Sequence, residues 1–427
     1  MGLRFKFGLI ALLLAAGCAG REQTTPVASP QPAPAAPVAA APALPPEPVM
    51  PIRTGPAKVG LLLPMTGPGA ALGADLLDAA QLALFDVGVT DLELLPRDTG
   101  DDPAKAERAA QSALAAGAEL LLGPLYSGST RAVTPLATAA GVSVVSFSND
   151  AAVGRPGVYV LGFRPEEQVE RVVRHAAAMG RMRFAAIAPA DAYGARVLAA
   201  VRAAVAEVPG ATAEILVTFP PDSVEPRAEV QQIAAHGRPG GLPPEPPPPE
   251  PGVAAPPPAP PPLLPPPGFD VLLIGDGGER VVTIAAMLAY YDIGPANVTV
   301  LGNLRWQEDR TLLADPGLQG ALFATSPPDE MAQFERRFAD VYGRRPASLA
   351  VLAYDATALA VLLARNQPRF TRSQISDPQG FFGGGGIFRL MPDGLAEHGL
   401  AVVAIEGGRI QVVDPAPGAF ETEVLSQ

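Results

Sequence analysis

Between residues 57 and 150 the chain alternates two hydrophobic rhythms. Near-continuous apolar runs occupy 57–64, 92–96, 119–122 and 142–146. Between the first two, Leu76, Leu77, Ala80, Leu84 and Phe85 recur at helical spacing. The pattern predicts strand, helix, strand, helix, strand, helix, strand. The second helix carries its own start signal, because Asp101 or Asp102 can accept from the first free N–H groups and Pro103 suits the first turn. Strands apolar on both faces and separated by helices imply a parallel sheet covered on each side. Ligand clefts in such sheets lie beyond the C-terminal ends of the strands, which here are the polar loops 64–73, 98–102, 124–130 and 146–150.

A second block repeats the rhythm. Strands are predicted at 158–163, 184–188 and 213–219, with helices from about 165 to 179, 195 to 207 and 225 to 237. Alternation then stops at a tract, 239–268, with seventeen prolines in thirty residues, and resumes at 269–274. Resumption in step marks the tract as a disordered insertion inside a domain, not a boundary. Helices at about 279–291, 329–342 and 348–366 and strands at 297–301 and 320–325 follow. The glycine run Gly383–Gly386, a turn at Met391-Pro392-Asp393-Gly394 and strands at 400–406 and 410–413 close the pattern.

Composition narrows the class. The 427 residues are 48% hydrophobic, enough for a large core and more than one domain. A net charge of −12 argues against nucleic acid as partner. Three histidines, far apart, form no metal-ligand pair at i, i+4, and one cysteine leaves no cysteine metal cluster and no intrachain disulfide. That cysteine, Cys18, ends Ala15-Ala16-Gly17-Cys18 after a positive start (Arg4, Lys6) and an apolar stretch, 9–16. The arrangement resembles a bacterial lipoprotein signal peptide, 1–17, with Cys18 as lipidation site and membrane anchor. Ala19 stands where Asp would mark inner-membrane retention, which implies the periplasmic face of the outer membrane. Residues 21–56 hold eleven prolines and read as an extended proline-rich linker.

Residues 59–67 (Val-Gly-Leu-Leu-Leu-Pro-Met-Thr-Gly), Asp98-Thr99 with Asp102-Pro103, Gly123-Pro124-Leu125 with Ser127, Ser129 and Thr130, Asp191 with Tyr193-Gly194, and Gly386-Ile387-Phe388 together resemble the leucine-binding-protein group of type I periplasmic binding proteins. The resemblance implies an α/β fold of two lobes, each a mostly parallel sheet flanked by helices. The chain would cross between lobes three times. Lobe one would hold 57–162 plus 327–385, lobe two 163–326 plus 386–414, with 415–427 a tail.

That resemblance also sets the candidate cleft residues: Tyr126, Ser127, Ser129, Ser148, Asn149, Tyr193, Asp276 and Arg305. In amino-acid receptors of the group, hydroxyls and N–H groups matching Ser127 and the 148–150 loop hold the ligand carboxylate. An acid in the loop matching 302–306 holds its ammonium. Here Asp150 stands where a hydroxyl is expected, and 302–306 carries Arg305 with no acid before Glu308. The amino-acid pocket therefore reads as eroded. This, the linker and the outer-membrane address favour a non-catalytic activator of a penicillin-binding protein, a peptidoglycan synthase. The alternative is the substrate-binding lipoprotein of an importer, with an ABC permease as partner and a small amino-acid-like ligand.

Enzyme readings fail on the residues. Gly67, Gly69 and Gly73 approximate a dinucleotide loop, but the last glycine comes one position late, and Asp98 is its only support. Gly275-Asp276-Gly277-Gly278 lacks the Lys-Ser/Thr of a phosphate loop. No Gly-x-Ser-x-Gly and no His-Glu-x-x-His occurs. The expectation is no catalytic residue, no metal and no cofactor.

Overall fold

The computed structural model describes residues 54–88, 91–242 and 264–420. Cys18, the signal segment and the linker up to residue 53 lie outside these, as do 243–263 of the proline tract and 421–427 of the tail.

The first lobe opens with β1 (Ala57–Leu63), α1 (Ala70–Val87), β2 (Leu92–Asp98), α2 (Pro103–Ala115), β3 (Leu120–Leu122), α3 (Ser127–Ala140), β4 (Ser143–Ser146) and β5 (Val158–Val160). Its strands form one parallel sheet in the order β2-β1-β3-β4-β5. Alternate residues face opposite sides. Leu61, Leu63, Leu120, Leu122 and Val145 belong to one apolar cluster, whereas Leu62, Leu121 and Val144 belong to another, with Ala106, Ala110 and Val133. Burial on both faces is why these runs are apolar without alternation. Asp102 caps α2, accepting from the Ala104 N–H at 2.9 Å, with Pro103 in the first turn.

The second lobe runs through α4 (Pro165–Ala178), β6 (Arg183–Pro189), α5 (Ala192–Ala206), β7 (Thr212–Phe219), α6 (Arg227–Ala235), β8 (Val271–Ile274), α7 (Glu279–Tyr290), β9 (Thr299–Leu301), α8 (Arg310–Ala314) and β10 (Leu322–Thr325). The chain then returns to the first lobe as α9 (Pro328–Tyr342), α10 (Val351–Ala364), α11 (Arg372–Ile375), β11 (Phe381–Gly383), β12 (Gly386–Leu390) and β13 (Ala396–His398). It ends in the second as β14 (Ala401–Glu406) and β15 (Arg409–Asp414). The second sheet has the order β15-β14-β10-β9-β8-β6-β7, with β14 and β15 antiparallel. The two short helices α8 and α11 are additions that the periodicity did not announce, since four or five residues cannot display a period.

The boundary proposed at 386 is corrected. Strand β12 pairs with β11 and β13, and Phe388, Leu390 and Ala396 join the core of the first lobe. Asp355 on α10 fixes this hairpin, accepting from the N–H groups of Gly384 at 2.6 Å and Gly385 at 3.1 Å. Burial pushes its carboxyl up to about 7 against the pull of those two donors. The chain therefore crosses for the third time after His398, not before Gly386.

The other crossings are 161–164 and 326–327, and a buried ionic cluster ties the first to the third. The Glu167 carboxylate accepts from the Arg164 N–H at 3.0 Å and meets His398 Nδ1 at 3.0 and 3.2 Å. The Arg164 guanidinium donates to the Ala396 carbonyl at 2.8 Å. Side chains of Glu167 and His398 are 8% and 6% exposed, so this cluster is closed to water.

The ends of the proline tract also differ from the sequence reading. Arg238 is buried and donates to the Tyr291 carbonyl at 2.6 Å, and Leu242 and Leu264 pack on the second lobe's core. Gly237 and Gly268 touch: a Cβ on Gly237 would lie 2.4 Å from the Gly268 Cα, and Gly237 has φ +69°. The excursion thus leaves and returns at one point.

Two predictions follow from these contacts. Replacing residues 243–263 by a short Gly/Ser linker leaves the melting temperature nearly unchanged, because closure entropy varies slowly with loop length. Arg238→Ala, by contrast, leaves the buried Tyr291 carbonyl unpaired and costs about 1–3 kcal/mol in urea unfolding. The second concerns Asp98, the acid of the rejected dinucleotide reading. Burial disfavours its charge, but Lys105 Nζ at 2.6 Å, the Gly100 and Met65 N–H groups and the Thr66 hydroxyl outweigh that and hold the carboxyl far below the usual range. Its stabilisation is full above the unfolded value of about 4 and is lost as pH falls below it. Asp98→Asn should lower stability at pH 7 by about 1–3 kcal/mol and flatten the acid limb of the stability profile.

Candidate functional site

A cavity of about 460 Å³ opens between the lobes. The first lobe supplies Leu72 from α1, Leu125 and Tyr126 after β3, Phe147 and Asn149 after β4, and Leu349 and Leu352 around the start of α10. The second supplies Gln168 from α4, Tyr193 from α5, and Leu304, Arg305, Gln307 and Glu308 after β9. Most of these positions follow the carboxyl end of a parallel strand, where the topology places a cleft. One wall is aliphatic and aromatic; the other carries amides, hydroxyls and two opposite charges.

The polar wall is built from the second lobe's loops. Asp276, 1% exposed, lies in the loop just after β8. Its carboxylate accepts from Arg280 Nε at 2.6 Å and meets Arg305 Nη1 at 3.4 Å. Its main-chain carbonyl accepts from Asn303 Nδ2 at 2.9 Å and Trp306 Nε1 at 2.8 Å. Asn303 in turn accepts from the Arg305 N–H at 2.9 Å. Gly302 is obligatory here, since a Cβ would lie 2.4 Å from the Trp306 ring. Gln168 reaches the same loop, its amide oxygen accepting from the Leu304 N–H at 3.0 Å. Arg305 is therefore oriented from below by Asp276 and lies 5.6 Å from the centroid of the Tyr193 ring. Burial pushes the Tyr193 hydroxyl up to about 12, so it enters the cavity as a neutral donor and acceptor.

Across the cleft, Tyr126 precedes α3, and burial with the Asp101 carboxylate beside it raises its hydroxyl pKa. The lobes touch directly where Arg196 of α5 donates to the Asn149 carbonyl at 2.5 Å while paired to Glu166 at 2.7 Å.

Of the eight candidates, Tyr126, Asn149, Tyr193 and Arg305 line the cavity and the others do not. Ser127 begins α3 within 3.5 Å of Arg131 Nη1. Ser129 is buried, its hydroxyl without a partner among the described residues. Ser148 accepts from the Asp150 N–H at 3.1 Å and shapes the loop. Asp276 acts from beneath through Arg305. One ground for an eroded amino-acid pocket is corrected, and the other is modified. Asp150 is absent from the wall; it caps a 3₁₀ turn through the Ala152 N–H and pairs with Arg131 at 2.5 Å, so it presents no free charge to the cleft. Glu308, two residues past the loop searched for an acid, does line the cavity.

Phe147, Phe163, Gln168, Leu349 and Leu352 were missed. Leu349 and Leu352 read as core helix residues, and a helical period does not say whether a buried face meets a sheet or a cleft. Gln168 had a detectable signal, a polar residue interrupting the apolar side of α4. Among the described residues no group of three or more His, Cys, Asp or Glu is arranged to hold a metal, and no helix is long and apolar enough to cross a membrane.

Comparison with known proteins agrees with this architecture. A leucine binding protein from Thermotoga maritima superposes with a TM-score of 0.58 at 18% identity, covering 84% of this chain and 98% of that one. A putative branched-chain amino acid ABC transporter protein from Rhodospirillum rubrum gives 0.68 at 18% identity, covering 84% and 100%. A solute binding protein from R. palustris, solved in complex with benzoate, gives 0.58 at 17% identity, covering 86% and 98%. Among curated sequences, an uncharacterised protein of Rickettsia prowazekii (strain Madrid E) is 27% identical over 118 residues, 28% of this chain and 32% of that protein, so the match spans about a third of the relative's length. The family model described as periplasmic binding protein matches residues 56–409. With the two-lobed α/β fold and the cleft between its lobes, that match places the chain in the periplasmic binding protein family.

Proposed function

We propose that this protein is a non-catalytic ligand-capture protein whose interlobe cleft takes a small solute with an apolar body and a charged head. The observation that carries this reading is the cavity of about 460 Å³ with contributions from both lobes, a size typical of small-molecule sites. Leu72, Leu125, Phe147, Leu349 and Leu352 receive the apolar body. Arg305, with Tyr193 beside it, receives a carboxylate, and Glu308 receives an ammonium when the ligand has one. A ligand held by both lobes favours the closed arrangement because it makes contacts there that the open one lacks. Leucine, named for the similar Thermotoga maritima protein, and benzoate, bound in the R. palustris one, are ligands of this kind. An importer's permease is the partner that such a receptor implies.

A second reading, activation of a peptidoglycan synthase from the outer membrane, rests on one specific feature. The sole cysteine, Cys18, stands at the end of a lipoprotein-like signal and is followed by a proline-rich stretch. That sequence suits a protein working at a distance from its anchor.

Two experiments separate these readings. In the first, thermal unfolding is followed with a panel of apolar amino acids, short apolar peptides and aromatic carboxylates. A true ligand at a hundredfold excess over Kd adds about 2.7 kcal/mol of stability, and Arg305→Ala or Tyr193→Ala weakens binding at least tenfold. A panel without any shift overturns capture. In the second, the protein is added to a bifunctional penicillin-binding protein. Under the activator reading it raises the glycan polymerisation rate, the effect survives Tyr193→Ala, and Cys18→Ser moves the protein into the soluble fraction. An unchanged rate removes that reading.

A further inference from the structure

The interlobe cleft does not end at Gln307 and Glu308. Those two residues also line a second, larger cavity of about 950 Å³, so the two spaces adjoin at them. The first lobe lines the outer space with Met331 and Glu335 of α9 and with Arg345; the second lines it with Arg310 at the start of α8 and Arg409 at the turn into β15. Its chemistry differs from that of the inner cavity. Arg345 is compensated, because Glu335 lies 2.9 Å away and Glu308 adds its charge. Arg310 and Arg409 have neither a carboxylate within 4 Å nor a side-chain hydrogen bond among the described residues. The second lobe's face of the outer cavity is thus left with two uncompensated guanidinium groups, in a chain of net charge −12.

We infer that Arg310 and Arg409 form an anion subsite at the outer end of the cleft, and that the ligand is a short apolar peptide with a free C-terminal carboxylate. This rests on the capture reading above. The inner cavity takes apolar side chains and offers Asn149 and Ser348, whose polar side-chain atoms make no hydrogen bonds among the described residues, to peptide amides. Three extended residues span at most about 10 Å, and in the inferred pose such a chain crosses at Gln307. A guanidinium pair then meets the terminal carboxylate in charge-assisted hydrogen bonds. A single amino acid fills only the inner space and leaves the arginines unused.

Isothermal titration of the full chain with leucine, trileucine and trileucine amide tests this. Trileucine is expected to bind at least tenfold more tightly than leucine and at least tenfold more tightly than its amide. The double variant Arg310→Gln, Arg409→Gln is expected to bind acid and amide alike. Both side chains are exposed and make no hydrogen bond, so the variant keeps the wild-type melting temperature without ligand. Equal affinity of wild type for acid and amide overturns the subsite, as does a double variant that still prefers the acid. Leucine binding without trileucine binding overturns the peptide inference alone, and binding of none of the three overturns it together with capture.

Discussion

The relation between the lobes depends on one buried carboxylate. Three strands of chain pass between the two halves, and Glu167 binds the first of them to the last through Arg164 and His398. A carboxylate this far from water is tolerated only because donors surround it. The cluster makes the crossings move together: neither the segment at 161–164 nor the one after His398 can shift without breaking a contact that water cannot replace. Sliding of the lobes past each other would also strip the Arg196 guanidinium from the Asn149 carbonyl.

The cleft itself is an exercise in supporting one exposed cation. Arg305 is half-exposed, yet its loop is among the most constrained in the molecule, with Asp276, Asn303, Trp306 and Gln168 all spending hydrogen bonds on the main chain around it. The buried Asp276 carboxylate is shared with Arg280, so it offsets the Arg305 charge only in part and leaves capacity for an incoming anion. Pre-organisation of this kind reduces the ordering cost of binding.

Much of the fold was legible because a doubly covered parallel sheet writes itself into sequence as uninterrupted apolar runs. Leu61-Leu62-Leu63 and Leu120-Leu121-Leu122 send alternate residues into separate cores, so each position must be apolar. The third crossing was placed too early because Gly383–Gly386 looks like a break. Only the fold brings Asp355 beneath those glycines to anchor the hairpin. At the site, polar residues just after strand ends, with Tyr193 in the first turn of α5, are legible, whereas the apolar wall and Gln168 within α4 are not. Charge was misjudged in both directions: sequence proximity made Asp150 a wall residue and kept Glu308 off it, whereas Arg131 neutralises the first and a 3₁₀ turn at 304–306 carries the chain on to the second.

Gly237 and Gly268 in contact make the second lobe a clamp with a single gap. Arg238, Leu242 and Leu264 hold the two stems against the core, so the length of what joins residue 242 to residue 264 has little bearing on the sheet behind it. For the same reason the gap is a ready port for grafting. A fluorescent domain whose own ends lie close together can be spliced there, at the far side of β8 from the Asp276 loop, and report on the cleft through the strand they share.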